Sequence, residues 1–156
     1  MPNLFIFQIF LVSLWNGGSL ITAYLAVPVI FSTLKPKTDL AGTIAGNIFS
    51  VMSWLGLTIT LVLLISFIVQ GGIKSLVKRP SALVITSSLL LSINHFFIHP
   101  LVVISRAQRA GGDADAARTF AWLHGSASLI FLVISILGIW LLINLLRNPP
   151  TPQRST

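Results

Sequence analysis

Between Leu40 and Val69 the chain carries no charged side chain. A helix that crosses a bilayer needs about 20 mostly apolar residues, and this run exceeds that. Three further runs of the same character flank it, so four membrane spans are expected over about 4–31, 40–69, 81–104 and 116–146. Stretches such as "QGGIKSLVKRP" and "RAQRAGGDADAAR" break the runs with glycine, proline and charge. The expected fold is therefore all-α, an integral membrane four-helix bundle over residues 1–147 with no room for a soluble domain beside it. A polar, Pro-rich tail, 148–156, is expected to be disordered.

Composition agrees: 54% of the 156 residues are hydrophobic and 8% are charged, against about 25% charged in soluble domains. No Lys or Arg precedes the first run, which separates it from a secretory signal and marks it as a retained span. Plausible helix caps are Thr38 or Asp39, Ser81, and Asp113 or Asp115.

The chain has no cysteine, which excludes disulfides and thiolate chemistry. It has no glutamate, and Asp39, Asp113 and Asp115 all lie between apolar runs. Proton- and sodium-coupled carriers usually keep a carboxylate inside the membrane, and none is placed there. The net charge of +7 comes from Lys and Arg scattered over loops and tail. That pattern suits lipid headgroups rather than nucleic acid. The expected partners are the lipid bilayer and other membrane protein subunits. Four spans put both termini on one side with Lys74, Lys78, Arg79, Arg147 and Arg154; Lys35, Lys37, Arg106, Arg109 and Arg118 face the other. The count is tied. Discounting Arg106 and Arg118 as helix extensions favours cytoplasmic termini in a cell (inner) membrane.

The segment "INHFFIHP" places His95 and His99 one helical turn apart in an apolar run. At about 1.5 Å per residue, His95 lies about 14 Å and His99 about 8 Å inside Ile104, and His124 about 12 Å inside Ala116. The same count puts Tyr24 and Asn47 each about 11 Å deep. Polar groups in hydrocarbon face the bundle interior, so a polar core of Thr22, Tyr24, Asn47, His95 and His124 is expected in the loop-side half, with His99 nearer the surface. The other half is expected to be mostly Leu, Ile, Val and Phe. Imidazoles so placed either hydrogen-bond neighbouring helices or hold haem, a quinone or a metal, with His95, His99, His124, Tyr24 and Asn47 as the cofactor-binding set. Arg118, at the start of span four, is either a snorkelling anchor or an anion or headgroup contact. Gly18, Gly42, Gly46 and Gly125 are expected to serve helix packing, and small-xxx-small faces also permit self-association.

"VPVIFS" and "HPLVVIS" close spans one and three, and "NIFSVMSW" and "RTFAWLHG" follow at matching distances. Two tandem helical hairpins are therefore a second expectation. "NGGSLITAYLAVPVIFSTL", "LAGTIAGNIFSVMSW", "HPLVV" and "RTFAWLHGSAS" together resemble the transmembrane protein 205-like family of small four-span membrane proteins of unknown function. The resemblance implies a four-helix membrane protein and transfers no catalytic residue. "WNGG" is also similar to four-span haem- or copper-handling proteins; the haem proteins use a first-span histidine that this chain lacks. Three functions stay open: a non-enzymatic accessory subunit or scaffold, which is the reading preferred; a haem-, quinone- or metal-binding protein; and a passive carrier.

Overall fold

The computed structural model describes residues 2–149, so the tail expected over 148–156 lies almost wholly outside the described residues. Helix α1 (Pro2–Ile21) passes through a π-helical turn (Thr22–Ala26) into α2 (Val27–Thr33). Helix α3 (Thr38–Gly71) follows, then a 3-10 turn (Ile73–Val77). Helix α4 (Arg79–Ile93) passes through a second π turn (Asn94–Ile98) into α5 (His99–Ala110), and α6 (Ala114–Arg147) completes the chain. The four spans are Asn3–Thr33, Thr38–Gly71, Arg79–Ala110 and Ala114–Arg147. The longest, of 34 residues, reach about 50 Å, well past the hydrocarbon core of about 30 Å. Their ends therefore stand among headgroups.

Both π turns have one cause. Pro28 and Pro100 have no N–H to offer the carbonyl four residues back, and their rings press against it. Widening the preceding turn relieves the clash, so Val27 N–H donates to Thr22 O and His99 N–H donates to Asn94 O, five residues back. The two turns stand at the same distance before their prolines, one in span one and one in span three. This is the correspondence that a repeated two-helix unit requires.

Two of the expected caps are replaced. Asp113 caps α6, its Oδ1 accepting from Asp115 N–H at 2.9 Å and Ala116 N–H at 3.0 Å. Span three starts two residues before Ser81, with Pro80 in its first turn; Ser81 is buried and donates its hydroxyl to Ser75 O at 2.8 Å. Span two starts at Thr38 without a side-chain cap, and Asp39 in its first turn is engaged elsewhere. Span three also runs six residues past Ile104, because Val102, Ser105, Arg106 and Arg109 continue one helical face.

Successive spans are neighbours: α1 packs on α3 and α6, and α4 packs on α3 and α6. The apolar core sits in the terminus-side half and is built from Val12, Trp15, Ile59, Leu63, Phe67, Val84, Leu91, Ile134, Leu141 and Leu145. That half, expected to be mostly Leu, Ile, Val and Phe, also holds buried polar side chains. Gln8 is 1% exposed and Asn16 is 5% exposed, and Ser19, Thr60, Ser66, Ser87 and Ser135 are buried too. Gln8 Nε2 donates to Ser66 Oγ at 2.8 Å, joining spans one and two. In lipid every polar group needs a partner from the protein or from bound water, so such bonds set the register of neighbouring helices.

The closest helix approaches use glycines the pattern did not single out. A Cβ at Gly56 would strike the Trp15 indole, and one at Gly138 would strike the Asn16 amide. Of the expected packing glycines, Gly18 stands beside the Met52 side chain, whereas Gly125 is exposed with open space around it. The packing role assigned to Gly125 is therefore corrected: it lies on the outward face of α6. Gly42 and Gly46 face an arginine rather than a helix backbone.

Candidate functional site

The loop-side half is looser. Helix α3 packs closely along α4 but only slightly against α5, which leans on α6 instead. The change of partner falls at the π turn Asn94–Ile98. A groove of about 250 Å³ opens between α3 and α5, lined by Asp39, Thr43, Gly46, Asn47, His99 and Arg106 with the apolar Val103, Ala107 and Ala110.

Arg106 lies across the small face of α3. A Cβ built on Gly42 would stand 3.3 Å from its Cζ and Nε, and one on Gly46 would stand 3.6 Å from Nη1 and 3.7 Å from His99 Nε2. Glycine at both positions leaves the space that the guanidinium fills. Arg106 Cζ is 5.6 Å from the centroid of Phe120, and Arg109 Cζ is 4.4 Å from the same ring, both within cation–π range. Arg109 Nη2 meets Asp39 Oδ1 at 2.7 Å. Arg106 has no carboxylate or hydrogen-bond partner among the described residues.

The imidazoles do not assemble into one cluster. His95 packs edge-on against Trp54, with centroids 5.1 Å apart, and against Phe96 at 4.9 Å. His99 stacks below it at 6.1 Å, with its Nε2 buried and without a partner among the described residues. His124 is exposed and stacks on Phe120 at 5.5 Å. Tyr24, 63% exposed, turns its ring toward lipid. The expected inward polar set is thus corrected for Tyr24 and His124. On span one the buried stripe is Gln8, Val12, Trp15, Ser19 and Thr22, and a residue two past Thr22 lies on the far side of a helix. Asn47 is likewise outside the Ala41–Gly42–Ala45 stripe and lines the groove mouth.

A haem held by two axial imidazoles does not fit these residues. Two axial imidazoles must oppose each other across the iron. Here His95 and His99 share one helix edge, while His124 rests on Phe120. The groove is also smaller than the 300–1,000 Å³ or so typical of small-molecule pockets. Among the described residues no three His, Cys, Asp or Glu side chains converge in a way that could hold a metal ion.

Arg118 is exposed in the first turns of α6 and does not line the groove. Arg106, and not Arg118, stands at the groove. The available signal was the spacing of Val102, Ser105, Arg106 and Arg109, which extends the span-three helix beyond Ile104 and carries two cations to the groove.

A family model matches residues 10–111, which hold every residue lining the groove. The chain belongs to the DUF4149 family, a domain of unknown function. The DUF4149 match stops before α6, so Phe120 and His124 lie outside it. No curated protein and no solved structure matches the chain.

Proposed function

We propose that this DUF4149 protein is a non-enzymatic membrane component, an accessory subunit or scaffold acting through its helices within the bilayer. The observation that carries the reading is the brevity of the three links, 34–37, 72–78 and 111–113, which join spans that fill the bundle. The three imidazoles are not gathered into one cluster. His95 and His124 rest on separate aromatic rings, and the one ion pair among the described residues uses Asp39 with Arg109. Membership of the transmembrane protein 205-like group belongs to the same proposal and rests on the motifs quoted above.

Location in a cell (inner) membrane with cytoplasmic termini completes it. Arg106 lies in the groove rather than in the loop. That leaves Lys35, Lys37, Arg109 and Arg118 against Lys74, Lys78, Arg79, Arg147 and Arg154 in the sequence, and the heavier side is the terminal one.

The test is to purify the tagged full chain from its native membrane in a mild detergent. The expected result is a colourless preparation carrying a membrane protein in fixed stoichiometry. A Soret band, stoichiometric metal or a chain that always runs alone would overturn the reading.

A further inference from the structure

We propose that the groove between α3 and α5 is a binding site for a phosphate group, with Arg106 as its cation. Charge is the first reason. Arg106, Arg109 and Asp39 together carry two positive charges and one negative, and Asp39 is committed to Arg109 at 2.7 Å. The three groups leave a net single positive charge beside a cavity, and Arg106 has no carboxylate bonded to it among the described residues. A buried or half-buried charge in this position is stable with a counter-ion and costly without one.

Geometry is the second reason. Arg106 Nη1 and His99 Nε2 both come within 4 Å of where a Cβ on Gly46 would stand, so the two groups border the same stretch of the groove floor. A guanidinium fork bonds phosphate oxygens in pairs, and an imidazole N–H at Nε2 donates to a third oxygen. His99 Nε2 is buried and has no other partner among the described residues. Asn47, exposed at the mouth, adds a neutral donor, while the Thr43 hydroxyl donates to Asp39 O at 2.9 Å. Gly42 and Gly46 keep the floor clear, so the backbone of α3 lies close beneath the site.

Depth and access indicate where the phosphate comes from. Arg106 is about one turn from the end of α5 at Ala110, which is headgroup level. The groove lies where α5 parts from α3, and its wall includes the exposed apolar residues Val103, Ala107 and Ala110. A phosphodiester lipid enters such an opening from the bilayer with its tails still in hydrocarbon. A free phosphate ion reaches the same donors from water. The inference does not depend on whether a partner subunit is found.

The test uses the full chain, delipidated in detergent, with native mass spectrometry counting bound lipid. Phosphatidylglycerol is compared with a diacylglycerol of the same tails, which lacks phosphate. A second arm measures the melting temperature with inorganic phosphate against chloride at constant ionic strength. The expected result is phosphatidylglycerol binding at least tenfold tighter than diacylglycerol, lost in Arg106→Gln and kept within twofold in Arg118→Gln. Val103→Trp fills the groove from a position that is 47% exposed, so it keeps the guanidinium yet should lose the lipid. If Arg106→Gln does not fold, Val103→Trp and Arg106→Lys decide, the latter weakening binding several-fold by losing the fork. Phosphate that stabilises the wild type but not these variants, without lipid discrimination, supports the site with the free ion as its source. Wild type that discriminates neither ligand, or variants that retain both, overturns the proposal.

Discussion

Arg106 rests on Gly42: a Cβ at that glycine would lie 3.3 Å from the guanidinium carbon. The small face of α3 is shaped for a side chain from span three, not for the backbone of another helix. The relationship explains why Gly42 and Gly46 stand one turn apart at the loop end of α3, where α5 has moved away toward α6.

Gly42→Leu should therefore displace Arg106 and destabilise the bundle by about 1–3 kcal/mol, the usual cost of overfilling a packed site. In an Arg106→Ala background most of that cost should vanish, because the space is then free. Thermal unfolding in detergent of the two single variants and the double variant measures the coupling. An equal cost in both backgrounds would show that Gly42 serves a helix contact instead.

Gly138→Ala and Gly125→Ala should behave in opposite ways. At Gly138 the new methyl meets the Asn16 amide, whereas at Gly125 it meets nothing. The first should cost about 1–3 kcal/mol, and the second should be neutral or stabilise by up to about 1 kcal/mol through helix propensity. Melting temperatures of the two proteins, prepared side by side, give the comparison.

Gln8 and Ser66 join spans one and two through a 2.8 Å bond. A double-mutant cycle of Gln8→Leu and Ser66→Ala should give a coupling of about 0.6 kcal/mol, and no more than about 1.7, as for other interhelical bonds in lipid. A coupling near zero would mean that each side chain finds water when its partner is removed.

His95→Phe should keep the fold and change stability by less than about 1 kcal/mol, since a phenyl ring restores the edge contacts with Trp54 and Phe96. Circular dichroism and a melting curve suffice. A collapse of the fold would show that an imidazole nitrogen, rather than ring packing, holds this part of span three.

A reporter active only in the cytoplasm, fused after Arg147, should give signal, and one inserted between Gly111 and Gly112 should not. The reverse pattern would place Arg106 and the groove on the cytoplasmic face and remove the orientation from the proposal.

The run from Leu40 to Val69 already required a helix across a membrane, because an uncharged segment of that length has no stable alternative in water or in lipid. Span number, the links between spans and a cap at Asp113 or Asp115 followed from local composition in the same way, and the structure chose Asp113. The matching positions of Pro28 and Pro100 were also visible, since proline disturbs the helix it belongs to whatever surrounds it.

Which side of each helix faces inward was decided by the tertiary structure. In a bilayer the outward face is as apolar as the core, so hydrophobicity does not mark the buried stripe. Tyr24 and His124 were assigned inward on polarity and lie outward, while Gln8 and Asn16, unremarked in sequence, are among the most buried side chains. Arg106 looked like a loop residue until the helix ran on past Ile104 and set its guanidinium over Gly42 and Gly46. That contact joins residues far apart in the chain, and it arises only where α5 turns from α3 toward α6.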